Sequence, residues 1–172
     1  LYMVRASIHR KWPYDETCRL YSDDNTTRIH YLASREVRRC RGIYHYRQHP
    51  ASATHAVSVK RFDYLKAAES MKRQLEQMGV SENIMAEYEQ QRWLILIDTY
   101  MFYHCHANEL DCNERSYGLG ELERAWRTTD TARLPDALKR KFGYRHAPTW
   151  GLFRMQEWLY FSLRAIIGRN RK

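Results

Sequence analysis

Three groups of residues in this chain have types and spacings that could do chemistry. The first is a set of basic side chains near the start: Arg5, Arg10 and Lys11, then Arg35, Arg38, Arg39 and Arg41. Arginine presents a planar fork of donors that matches carboxylate and phosphate, so this set suits docking of an anion or an acidic surface. The second is His104, Cys105, His106 and Cys112. Both residue types are good zinc ligands, but the spacing fits no standard finger, and His104 and His106 diverge on a helix. The third is the loop set His45, His49 and His55, which reads more simply as polar loop histidines. The carboxylates, Glu121 and Glu123 among them, are scattered with no acid–base pairing, and no nucleophile–base, P-loop or dinucleotide-binding glycine pattern is present. The chain reads as a holder of partners rather than an enzyme.

Charge sharpens the first group. The net charge is +9 over 172 residues. Residues 1–61 hold 12 Lys/Arg and 5 Asp/Glu, a net of +7, so the remainder carries only +2. A basic first third calls for an acidic protein, RNA or an anionic headgroup. The 13 Tyr and 5 Trp suit half-wet interfaces. The four cysteines, at 18, 40, 105 and 112, form no paired frame and read as free buried thiols.

These side chains must be positioned by helices. Only 7 Gly and 4 Pro occur in a chain that is 44% hydrophobic and long enough for one domain. Leu1, Val4, Ile8 and Trp12 recur at helical spacing, and Pro13 ends that helix. Asp24 or Asn25 can cap a second helix striped by Ile29, Leu32 or Ala33, Val37 and Cys40, with Gly42 closing it. A third helix over about 59–78 carries Phe62, Leu65, Ala68, Met71, Leu75 and Met78 on one face, with Gly79 at the stop. Ser81 can cap a long, widely buried fourth helix with Met85, Tyr88, Ile95 and Phe102 on one face and Leu94, Ile97 and Met101 on another. Asn108 to Gly120 reads as a loop before a short fifth helix marked by Leu119, Leu122 and Trp126. Pro135 and Gly143 frame a sixth. A last helix over about 148–167 carries Leu152, Met155, Leu159, Ser162 and Ile166 as a heptad-like face, with Trp158, Phe161 and Ala165 beside it. The fold class is therefore all-α. The most apolar run, Trp93 to Ile97, stops at Asp98, far short of the roughly 20 residues that span a bilayer.

The opening Leu1-Tyr2-Met3-Val4-Arg5, the basic residues after it and the stop at Trp12-Pro13 resemble the first helix of the LYR-motif proteins of mitochondria. Ser34-Arg35-Glu36-Val37-Arg38-Arg39 stands where that family carries a basic stretch on its second helix. Met3 replaces the motif's Arg, and Val37 replaces an inward Phe. The resemblance covers about the first 80 residues. It implies a three-helix unit over 1–80 and a helical extension over 81–172, packing on that unit or on partner subunits.

The same resemblance implies an acidic acyl carrier protein as partner, bound through Tyr2, Arg5, Arg10, Lys11, Arg35, Arg38, Arg39 and Arg41. It implies that Leu1, Val4, Ile8, Leu32, Val37, Leu65 and Met71 line a tunnel for the acyl chain. No cofactor of the chain's own is implied, only the acyl-phosphopantetheine the partner carries. The length beyond the three-helix unit points to an accessory subunit of respiratory complex I, the NADH dehydrogenase of the electron-transport chain, on the matrix side of the inner membrane. A first residue other than Met fits a presequence removed on import, or a start inside a longer protein. The alternative is an RNA-binding structural protein of an organellar ribosome, with basic helices on phosphates and aromatic rings on unpaired bases.

Overall fold

The structure is a computed structural model that describes residues 2–17, 20–43, 45, 57–139 and 147–168. Leu1, Cys18, His49, Pro50, His55 and Gly143 lie outside the described residues. The described elements are α1 (Ala6–Lys11), α2 (Ser22–Ala33), a 3₁₀ turn (Val59–Phe62), α3 (Asp63–Met78), α4 (Glu82–His106), α5 (Cys112–Thr128), a 3₁₀ turn (Thr131–Arg133), α6 (Asp136–Lys139) and α7 (Trp150–Ile166). No strand occurs among the described residues, and no described helix is long and apolar enough to cross a membrane. The fold is all-α.

Two apolar clusters organise it. The larger joins Phe62 and Leu65 at the start of α3 to Trp93, Leu96 and Tyr100 of α4, Leu122 of α5, and Phe153 and Phe161 of α7. The smaller joins Ile29 of α2 to Met71 and Leu75 of α3 and to Met85 and Tyr88 of α4, with Trp12 packed against it. The stripe Phe62, Leu65, Ala68, Met71 and Leu75 is buried, as its spacing predicts, and Met78 at its end is half-buried. Gly79 ends α3 with φ 62° in the left-handed region, where glycine has no Cβ to clash.

Several boundaries differ from the sequence expectation. The first helix starts at Ala6, not Leu1, with Arg5 in extended conformation before it. The second starts at Ser22, ahead of the expected caps, so Asp23 and Asp24 fall in its first turn and complement the helix dipole. Tyr21 precedes it at φ 68°, a costly conformation for this residue type. Its ring stacks on Tyr64 at 4.5 Å, and its hydroxyl accepts from Arg61 at 3.3 Å.

The second helix ends at Ala33 rather than near Gly42. Ser34 is extended, and its hydroxyl donates to the His30 carbonyl at 2.6 Å, taking up a carbonyl at the helix end. Residues 35–43 are not helical. Continuing the helix would crowd Arg35, Arg38, Arg39 and Arg41 into two turns while burying only Val37, which stands 59% exposed. The basic stretch is therefore a non-helical strap, not a helical face.

The fifth helix is longer than expected and swallows Gly118 and Gly120. A reciprocal capping box between Asp111 and Glu114 starts it at Cys112. Cys40, Cys105 and Cys112 are free and exposed rather than buried, because the first lies on the strap, the second on the outer side of α4 and the third at the first position of α5. The last helix buries Phe153, Glu157 and Phe161 and leaves the heptad-like residues outside.

Candidate docking site

α1 is too short to stand alone, and polar residues fix it to α2. The inward positions of α2 are Asn25, Thr26, Ile29 and His30, all buried. Asn25 Nδ2 donates to the Ala67 carbonyl at 2.7 Å and to Asp15 Oδ2 at 3.3 Å, tying the α1–α2 loop to α2 and α3. The Asp15 backbone N–H donates to Thr26 Oγ1 at 3.3 Å. Partial burial opposes the Asp15 charge, but hydrogen bonds from Thr17, Ser70 and Asn25 outweigh it and hold the carboxyl below its ordinary value.

His30 is the centre of this attachment. One ring nitrogen, Nε2, lies 2.7 Å from the Trp12 carbonyl, and the other, Nδ1, lies 2.7 Å from the Tyr2 hydroxyl. A carbonyl only accepts, so Nε2 carries a proton toward Trp12, and Nδ1 and the Tyr2 hydroxyl form the second hydrogen bond. The Tyr2 ring also packs edge-on against Tyr31, with centroids 5.7 Å apart. His9 sits edge-on over His30 at 5.4 Å. Both ends of the first segment are thus anchored on one buried imidazole.

Between this anchored segment and the strap after α2 lies a cleft of about 760 Å³. Arg5, Arg35 and Arg38 line it together with the half-buried Val4 and Ile8. Glu36 also lines it and pairs with Arg38 Nε at 2.6 Å, with both side chains well exposed. An exposed pair of this kind is worth little, so an incoming carboxylate or phosphate can displace it.

The remaining residues singled out from the sequence fall elsewhere. Arg10, Lys11, Arg39 and Arg41 are exposed around the cleft rather than on its lining. Lys11 lies over the Trp12 ring at 5.8 Å. Leu32 and Met71 meet in a separate shallow apolar groove of about 340 Å³ between α2, α3 and α4, with Tyr31, Leu75 and Ile84. Leu65 belongs to the larger core, Val37 is exposed on the strap, and Leu1 lies outside the described residues. The residues implied for a tunnel therefore stand in at least three places.

The histidine–cysteine group is dispersed too. The His104 ring lies 6.0 Å from that of Phe161, and burial pushes its pKa down. His106 Nδ1 pairs with Glu109 at 2.7 Å. Among the described residues, no three His, Cys, Asp or Glu side chains converge as a metal site would require.

Tyr2, Asp15 and His30 as a positioning set are not visible to a reading based on apolar spacing. The available signal was polar: Asn25, Thr26 and His30 stand at helical intervals alongside Ile29, so the inner face of α2 is half hydrophilic. No protein-family model, curated protein or solved structure matches this chain.

Proposed function

We propose that the chain is a non-catalytic helical docking protein whose N-terminal cleft holds an acidic partner. One observation carries this reading: Arg5, Arg35 and Arg38, distant in sequence, line a single cleft with Val4 and Ile8. Arginine forks provide bidentate contacts to carboxylate or phosphate, and the surrounding Arg10, Lys11, Arg39 and Arg41 raise the encounter rate of a negative surface. The apolar residues beside them suit a partner that brings both charge and hydrocarbon.

The LYR resemblance of the N-terminus names such a partner, an acyl carrier protein. The finer proposal is an accessory subunit of mitochondrial respiratory complex I. In this reading the carrier's acidic helix and phosphopantetheine phosphate meet the arginines. The acyl tail has the groove of Leu32 and Met71 to lie in.

The test is affinity purification from mitochondria, with intact-mass spectrometry of what stays bound, for the native chain and for Arg35→Glu/Arg38→Glu/Arg39→Glu. A stoichiometric carrier with an acyl-phosphopantetheine mass, lost in the variant while its helicity is kept, supports the reading. Ribosomal RNA and ribosomal proteins without a carrier would replace it with the RNA-binding alternative.

A further inference from the structure

α7 presents two unlike faces. Phe153, Glu157 and Phe161 are buried against α4, where Tyr100 stacks on Phe161 at 6.4 Å and donates to the Arg154 carbonyl at 3.0 Å. On the other face Leu152, Met155, Trp158, Leu159, Leu163 and Ile166 all stand exposed, from 44% to 82%. They form a continuous apolar band along 17 residues, about 25 Å of helix. Monomeric proteins seldom leave such a band in water.

Charge decides what covers it. The one acid of α7, Glu157, is 1% exposed, so the outer face of α7 itself carries no negative charge. The bases are Arg154 and Arg164, and the sequence continues directly into Arg169, Arg171 and Lys172. A shallow cleft of about 330 Å³ opens on this face between Arg154, Met155 and Trp158. A helical partner is usually selected by charges flanking the apolar seam. Beside the narrower seam of Leu152, Met155, Leu159, Ser162 and Ile166, the flanking positions are Gln156, Trp158, Leu163 and Ala165, which carry none. A second copy would bring no acid of its own α7 to meet Arg154.

An anionic bilayer meets both features. Leu, Met and Ile sink to the acyl boundary, Trp sits at headgroup level, and an exposed arginine such as Arg154 meets lipid phosphates. The net charge of +9 adds long-range attraction to a negative leaflet. We propose that α7 is a membrane-surface docking helix, lying in the plane of an anionic lipid bilayer with its outer face embedded. This surface shares no residue with the N-terminal cleft, so its failure would leave the partner-docking reading standing.

The experiment is flotation of the purified chain with vesicles of phosphatidylcholine containing about one-fifth cardiolipin, and with phosphatidylcholine alone. Flotation is expected with the anionic vesicles only, weakening as salt is raised. Leu159→Glu/Leu163→Glu, at exposed positions that leave the core intact, is expected to lower partitioning at least about tenfold. The milder Leu152→Ser/Met155→Ser lowers it in the same direction should the first variant lose its circular dichroism. Absence of flotation by the native chain overturns the proposal, as does equal flotation of both folded variants. A native dimer that these variants disperse, without flotation, overturns it in favour of a second copy.

Discussion

The tip of the Phe62 ring abuts the α5 backbone at Gly118, so that a Cβ built there would overlap Cζ and stand 2.6 Å from Cε2. Phe62 is fully buried and is the meeting point of α3, α4 and α5. Gly118→Ala should gain up to about 1 kcal/mol of helix propensity and lose about 1–3 kcal/mol to overpacking, because the ring has nowhere to go. A net destabilisation in urea unfolding is expected. Phe62→Leu in the same chain should recover part of the loss, and strict additivity of the two changes would show that the two side chains do not compete for space.

Glu89 is the deepest charge among the described residues, at 0% exposure. Lys72 of α3 pairs with its Oε1, and Arg92 reaches both oxygens at 3.0 and 2.9 Å. The backbone N–H of Asp130 donates to it at 3.3 Å, and Arg92 also donates to the Thr128 carbonyl at 3.0 Å. The cluster therefore joins α3 and α4 to the end of α5. Glu89→Ala leaves Arg92 buried without its carboxylate and should cost about 3–5 kcal/mol in chemical denaturation. Restoring an apolar match with Arg92→Met in the same chain should return a good part of it. A loss no larger than that of an exposed pair such as Glu36→Ala would contradict this account.

The sequence reading reached the long apolar stripes and missed the places where polar groups decide. Phe62, Leu65, Ala68, Met71 and Leu75 repeat so regularly that α3 was legible, and Gly79 marked its end. The glycines at 118 and 120 suggested a loop because glycine weakens helices on average. The Asp111–Glu114 capping box and the demand of the Phe62 ring for a bare backbone overrode that average. The shared spacing of Ile29, Ala33 and Val37 predicts a helix that runs on into the basic strap. Nothing in that spacing reveals that the Ser34 hydroxyl would close the helix on the His30 carbonyl. α7 misled differently: its most regular apolar stripe faces outward, and the less regular Phe153, Glu157 and Phe161 face in. Periodicity reports an apolar face, not which neighbour covers it.

Acid titration should separate two groups. Asp15 has its folded pKa held below its ordinary value of 3.8 by its hydrogen bonds, which outweigh burial. Its contribution is therefore fully present above that value and is lost as pH falls through the lower folded pKa. His104 has its folded pKa lowered below 6.5 by burial against Phe161, so the fold resists its protonation. Stability should begin to fall as pH drops below 6.5 and level off once the folded pKa is passed. Thermal melts from pH 8 to 3 should show His104→Gln flattening the upper part of this decline and Asp15→Asn the lower part. A profile unchanged in both variants would contradict these assignments.

The Tyr2–His30 bond should control the cleft without controlling the fold. His30 is 1% exposed, its Nε2 proton is committed to the Trp12 carbonyl, and Nδ1 has the Tyr2 hydroxyl as its hydrogen-bond partner. Tyr2→Phe leaves that nitrogen buried and unsatisfied, at a cost of about 1–3 kcal/mol. The loss is local, because the larger core of α3, α4, α5 and α7 contains neither residue. Hydrogen exchange should speed up over residues 5–12 and stay unchanged in α4. Arg5 lies on this segment and Arg35 and Arg38 on the opposing strap, so loosening one wall of the cleft should weaken binding of an acidic partner severalfold. Removing the Arg35 charge should instead weaken binding with no change in exchange over 5–12. Tyr2→Phe with faster exchange but undiminished binding would place the docking surface elsewhere, and undisturbed exchange would mean that His30 does not hold the N-terminal segment.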